Sequence, residues 1–312
     1  MADIILHHYR TSPFSEKVRL ILGFKNLAWK SVDIPPIMPK PDLMPLTGGY
    51  RRTPVMQIGA DIYCDTALIA DVLERLQPAP SLYPEPHAGL AKTLAQWADS
   101  TLFWTVIPYC FQPGGLANIF KDMPPEHVQA FAADRAKFRG SLPRMPFPEA
   151  VAQLRELLTR LENMLADGKP YLLGAQASIA DFSVYHAIWF VRDVAVLPDI
   201  LVGAPKVSAW ADRMAAIGHG KPEKMTGEQA LTISRESTPA GFDGRVSDDV
   251  YAKHLGQRVL IQPADYGIDP VEGELVFTDA SEFALRRDDE RAGTVVVHFP
   301  RLGFQLKKSE TT

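Results

Sequence analysis

The chain has 312 residues, 46% hydrophobic and 22% charged, with a formal net charge of -4. That length and composition supply material for about two cores, and the charge gives no electrostatic reason to expect nucleic acid or an anionic membrane surface as partner. No apolar run reaches membrane-spanning length, since the longest candidate, FSVYHAIWFV, is broken by His186 and bounded by Asp181 and Arg192.

Residues 3–9 alternate weakly and predict a strand. His7 and His8 are adjacent on it, so they point to opposite faces and cannot chelate together. Pro13 suits the first turn of a helix; Phe14, Val18, Ile21, Leu22 and Lys25 follow helical spacing, and the helix should fade near Asn26. AWKSVDI (28–34) predicts a second strand, and PPIMPKP a loop that no helix or inner strand could contain. PVMQIG and ADIYC predict a hairpin about Gly59 and Ala60. DTALIADVLERL (65–76) predicts an amphipathic helix capped by Asp65 or Thr66.

The proline-rich PAPSLYPEPHAG then marks a boundary, which places a first α/β domain at 1–77 and a linker at 78–88. Residues 89–218 read as wholly helical, in five patterns separated by Pro/Gly stretches. Residues 219–240 are polar and read as a second linker. From 241 to 312, RVLIQP, GELVFTD, EFALRRDD, GTVVVHFP and GFQLKK are strand candidates, with DDERAG as a hairpin turn. The expected fold class is therefore α+β multidomain: an α/β domain, an all-α domain and a small C-terminal all-β domain.

The junction YRTSPFSEKVRL carries the chemistry. A thiol-disulfide oxidoreductase has Cys-x-x-Cys at such a strand-to-helix turn; here Ser12 and Ser15 stand in both places. Serine cannot exchange with a disulfide. Ser12 does stand at a helix N-terminus, where unpaired N–H groups lower the pKa of a nearby thiol. Its hydroxyl can donate to the sulfur of a bound thiol. A charge-assisted bond of about 1.5–3 kcal/mol would shift a thiol from its usual pKa of about 8.5 by roughly one to two units. The alternative is that Ser12 and Ser15 merely cap the helix.

Three further motifs are RTPV (52–55), DT (65–66) and SIADF (178–182). In this order and spacing, the four motifs and the element order resemble the cytosolic glutathione transferases over roughly residues 1–218. The resemblance implies a thioredoxin-like first domain that binds glutathione as co-substrate. It implies Ser12 as the sulfur partner. Tyr9 is the rival, although it registers poorly with the tyrosine some branches use, His8 falls nearer, and a half-buried strand aromatic is the other reading of Tyr9. Thr53, before a cis Pro54, would pair its main chain with the cysteinyl backbone. The Thr66 N–H and hydroxyl would take the γ-glutamyl carboxylate and Asp65 the α-ammonium. Lys40 and Arg52 would take the glycine carboxylate or stand simply solvated. Asp-Thr departs mildly from the family's usual acid-Ser pair. Ser178 and Asp181 read as a structural capping box.

The second substrate would lie between the domains, where Phe14, Trp104, Tyr109 and Phe111 are candidates, with Trp97 and Phe103 nearby. Aromatics at helical spacing are also ordinary core. Cys64 and Cys110 read as structural, and with only two cysteines and no visible secretory signal a reducing cytoplasm is expected. No Cys/His cluster has zinc spacing, so no metal is expected. The expected activity is attack of the activated thiol on a hydrophobic electrophile. Glutathione-dependent isomerisation, dehalogenation or ether cleavage stay open, as does a non-catalytic scaffold whose β unit binds a partner. A homodimer follows from the resemblance alone; neither nucleic acid nor membrane is expected as partner. The β unit departs from the family, and capping the cleft, extending the dimer and binding a partner are the roles open to it.

Overall fold

A computed structural model describes residues 2–121, 123–140, 142–247 and 249–309. The weak alternation at the N-terminus has a simple cause: β1 (Ile4–His8) is buried on both sides. Ile4 and Leu6 join one core and Ile5 the other. A strand covered on both faces needs no polar positions.

Around β1 the expected order is realised. Pro13 opens α1 (Pro13–Phe24), and β2 (Ala28–Asp33) returns parallel to β1. After the short α2 (Met44–Thr47), β3 (Val55–Ile58) and β4 (Asp61–Cys64) form the hairpin, with β3 antiparallel to β1. Asp65 caps α3 (Thr66–Leu76). This is a thioredoxin-like unit.

A helical half follows. α4 (Ala88–Trp97) passes through a π-helical turn, Ala98–Leu102, into α5 (Phe103–Cys110). Then come α6 (Pro113–Ile119), α7 (Pro125–Arg139), α8 (Phe147–Met164), α9 (Ile179–Trp189) and α10 (Pro205–Ala215). The five helical patterns missed α6, a two-turn helix begun by Pro113. α9 is buried from Ile179 to Ile188 and so shows no polar stripe; it is the central helix. No helix among the described residues is long and apolar enough to cross a membrane.

The C-terminal third departs from the expectation. Residues 219–240, read as a linker, contain β5 (Lys221–Lys224), parallel to β2, and α11 (Gly227–Glu236), capped by Thr226 and Gln229. The five strand candidates do form strands: β6 (Arg258–Pro263), β7 (Val271–Thr278), β8 (Glu282–Asp289), β9 (Gly293–Pro300) and β10 (Phe304–Lys308). They are not a free-standing domain over 241–312, of which residues 248 and 310–312 lie outside those described. β9 pairs in parallel with β4, Tyr63 beside His298, so that one ten-stranded sheet runs β10-β6-β7-β8-β9-β4-β3-β1-β2-β5. An unpaired hairpin edge is a row of open donors and acceptors, and β9 closes the one on β4. Phe283, Val297 and Phe299 share a core with Ile5, Val55 and Tyr50, under α2 and α11.

The seam between β4 and β9 is held by a buried ion cluster. His298 lies 3.1 Å from Asp61 and 3.3 Å from Glu282, and Arg245 lies 3.0 Å from Glu282. The His298 ring stacks on Tyr63. Burial disfavours the His298 charge, but the bonds to Asp61 and Glu282 outweigh it and raise the pKa above the ordinary 6.5. Burial would raise Glu282, but the His298 bond and the charges of His298 and Arg245 lower it below its ordinary 4.5. The raised histidine contributes stability fully below its unfolded pKa and loses it as pH rises through the folded one; the lowered acid does the reverse. His298→Gln is therefore expected to lower the melting temperature most near about pH 6, with the deficit shrinking towards about pH 9. Thermal melts of both proteins across that range check it.

Candidate functional site

Strand register brings the predicted segments to one end of the sheet. His7 pairs with Val55, and Val55 with Cys64. The C-terminal end of β1, the start of β3 and the C-terminal end of β4 therefore lie side by side. Ser12, Thr53–Pro54 and Asp65–Thr66 continue directly from those three ends.

Ser12 is the N-cap of α1, and its Oγ accepts the Ser15 N–H at 3.2 Å. It is buried, and its own hydroxyl proton has no acceptor among the described residues. Capping and sulfur donation are thus compatible, because they use opposite sides of the same oxygen. The turn is clamped by Arg19, a residue the sequence reading passed over. Its guanidinium donates to the Tyr9 and Arg10 carbonyls and to Glu16, which His219 holds from the other side at 2.9 Å. Tyr9 is half-buried, with no hydrogen bond to its hydroxyl among the described residues. His8 is turned away into the packing: it lies 2.8 Å from Ser31 and 3.0 Å from Arg19. Burial first, then the Arg19 charge, push its pKa down to about 3.

The Thr53–Pro54 peptide is cis. Lys40 reaches this turn from below, donating to Thr53 Oγ1 at 2.6 Å and to the Arg51 carbonyl at 3.0 Å. It is 2% exposed, and burial, with Arg135 and Arg51 adding and Asp134 opposing, pushes its pKa down to about 7. Asp65 has φ 75° and ψ 138°, a region that side chains other than glycine rarely adopt. Such strain concentrates at functional sites. One of its oxygens caps the Ala67 N–H at 2.9 Å and the other lies 3.9 Å from Arg52. Thr66 Oγ1 accepts from Lys17 at 3.1 Å. Lys17, fully buried, pairs with Asp99 at 2.6 Å, which lies 3.0 Å from His186. This chain ties the starts of α1 and α3 to the helical half.

The loop between β6 and β7, residues 264–270, lies over the same end. Arg52 donates to the Asp265 carboxylate and the Tyr266 carbonyl, and its guanidinium sits 4.0 Å from the centre of the Tyr266 ring. Tyr266 is buried, edge-on to Trp104 at 4.9 Å and Phe138 at 5.1 Å. The Gly267 N–H donates to the Phe138 carbonyl at 2.8 Å, and a Cβ there would come within 2.6 Å of the Phe138 ring, so only glycine fits. Arg51 joins Asp134 on α7 at 2.6 Å and Asp269 at 3.4 Å. The loop therefore bridges both halves of the chain. Sequence reading found none of it, since Asp265 and Tyr266 belong to no motif.

The aromatic candidates divide. Phe14 lies 4.7 Å from Phe103 and 4.6 Å from His186, and Phe103 touches Trp104, which meets Tyr266. That line follows the border between the halves. Tyr109 and Phe111 are elsewhere. Tyr109 stacks on Phe147 and donates to the Leu197 carbonyl, and Phe111 packs with Phe120, Phe131 and Phe190. At 3.6 residues per turn, Tyr109 is rotated well away from Trp104, and Phe111 lies past the end of α5. Both cysteines are free and buried, and burial raises their thiol pKa values. The protein has no exposed thiol of its own.

Two family models match the chain: the glutathione S-transferase N-terminal domain over residues 6–81 and the glutathione S-transferase C-terminal domain over residues 126–213. No curated protein matches it. Among solved structures, a GST-like protein from Pseudomonas syringae is 43% identical, covering 99% of this chain and 100% of that one, with a TM-score of 0.81. FzlA from C. crescentus is 20% identical over 68% of this chain and 87% of its own, with a TM-score of 0.52. The beta-etherase LigF from Sphingobium sp. strain SYK-6 is 20% identical over 68% of this chain and 95% of its own, at 0.51. The last two share the fold.

Proposed function

Because the chain belongs to the glutathione S-transferase family, we propose that it binds glutathione across this end of the sheet and activates its thiol for attack on a hydrophobic electrophile. The observation that carries the reading is the Ser12 hydroxyl, fixed as a cap on one side and with no acceptor for its proton among the described residues. The strained Asp65 and the Thr53–Pro54 turn, at the ends of adjoining strands, support it by their placement.

In this reading the Thr53 main chain pairs with the cysteinyl unit, the α3 N-terminus at Thr66 receives the γ-glutamyl carboxylate, and Asp65 meets the ammonium. The thiol proton passes to solvent, and the thiolate is held by the Ser12 O–H and the start of α1. The sulfur pair then forms a bond to the electrophilic carbon, whose leaving group departs with its own pair or whose displaced electrons take up a proton. Phe14 and Trp104 border the second substrate. A homodimer belongs to the same proposal.

Ser12→Ala is expected to raise the pKa of bound glutathione by roughly one to two units and to lower kcat/KM towards an aryl halide at neutral pH by about tenfold or more. Thiolate absorbance against pH checks the first and steady-state rates the second; an unchanged midpoint rejects Ser12. Retention on immobilised glutathione without turnover would instead identify a binding scaffold. Product analysis separates transfer from isomerisation, dehalogenation and ether cleavage.

A further inference from the structure

Resting on that reading, the outer end of the site has a property of its own. Two cations were expected to take the glycine carboxylate, and both are already committed. Lys40 is turned inward to Thr53 and the Arg51 carbonyl. Arg52 is held by Asp265, by the Tyr266 carbonyl and, at 3.9 Å, by Asp65. Its Nε has no partner among the described residues but is buried beneath the surface. The neighbouring cations are matched as well: Arg51 by Asp134 and Asp269, and Arg135 by Asp134 and the Pro36 carbonyl. Arg51, Arg52 and Arg135 thus face four carboxylates, Asp65, Asp134, Asp265 and Asp269, while Lys40 is bonded to Thr53 and the Arg51 carbonyl.

A carboxylate arriving here meets Asp265 on the guanidinium it would need. It must either displace the loop, which Tyr266 and Gly267 anchor to Trp104 and Phe138, or sit as a second anion beside the first. Two carboxylates sharing one guanidinium disfavour each other. An amide or ester end carries no such penalty. We propose that the β6–β7 loop, through Asp265, sets this site to prefer a γ-glutamyl thiol whose outer end is uncharged over one ending in a free carboxylate.

Calorimetric titration of the full-length protein with glutathione and with its glycyl monoethyl ester tests this. Both carry the same thiol and γ-glutamyl group, and only the outer charge differs. Wild type is expected to bind the ester about tenfold more tightly. Asp265→Asn keeps the shape, and the Asp265 side chain is half exposed, so the fold should survive; a thermal melt confirms it. In that variant glutathione should gain until the two ligands bind within about twofold. Glutathione binding only to the variant supports the proposal equally. Equal affinities in wild type, tighter binding of the free acid, or an ester preference unmoved by Asp265→Asn would overturn the inference while leaving the proposed function standing. Binding of neither ligand to either protein would overturn both.

Discussion

Asp181→Ala is expected to cost about 4 kcal/mol or more of stability and to leave the helical half unable to hold its central helix. The carboxylate, fully buried, accepts from the Leu172 N–H at 2.9 Å, the Ser178 N–H at 2.9 Å, the Ser178 hydroxyl at 3.0 Å and the Trp210 indole at 3.0 Å. Truncation strands four donors with no route to water, and each buried unsatisfied group costs about 1–3 kcal/mol. The folded state of a typical domain is only about 5–15 kcal/mol below the unfolded one. Ser178→Ala removes a cap alone and should cost about 1 kcal/mol. Urea denaturation followed by tryptophan fluorescence compares them, since Trp210 reports on the lost bond. A variant within about 1 kcal/mol of wild type would show that the Asp181 carboxylate is not what holds α9.

Asp99→Ala is expected to cost about 3–5 kcal/mol, because it leaves the Lys17 ammonium buried without its counter-charge. The Lys17 side chain is 1% exposed and Asp99 21%. The remaining contact, to the Thr66 hydroxyl, supplies no charge. The His186 ring beside them is held neutral by burial, which outweighs the pull of Asp99 and lowers its pKa. Lys17→Met together with Asp99→Leu should restore part of the loss, since neither ion is then buried alone; a double-mutant cycle measures the coupling. Retention on glutathione should fall in Asp99→Ala even where the protein is folded, because Lys17 is what joins the Thr66 end of α3 to the helical half. Full stability in the single variant would mean that Lys17 finds water or another acceptor.

How much of this was legible follows from the range of each signal. Pro13 at the start of α1, the Gly59–Ala60 turn, the Asp65 cap and the five C-terminal strands are written within ten or so residues, and all were found. Ser12, Thr53, Asp65 and Thr66 were named from local motifs, and strand register does bring their segments to one end of the sheet. Lys40 and Arg52 read from sequence as partners for the glycine carboxylate or as solvated cations, and both are bonded within the protein. Nothing in the residues around them announces that their partners are the Arg51 carbonyl and Asp265, the latter more than two hundred positions away. Tyr109 and Phe111 were grouped with Trp104 by nearness in sequence, which a helix converts into different directions.

The sequence by itself determined the elements of residues 1–77, the longer helices that follow, the five C-terminal strands and the absence of a reactive cysteine at the β1–α1 turn, because caps, turns and side-chain periodicity act between near neighbours. Only the tertiary structure decided that β5 and β6–β10 continue the first sheet. Strand pairing runs through backbone groups that every residue carries, so KPEK can lie beside β2 and Val296–His298 beside Asp61–Tyr63 without a signature in either segment. The same long-range pairing brings Asp265 and Tyr266 onto Arg52, and with them the charge at the mouth of the site.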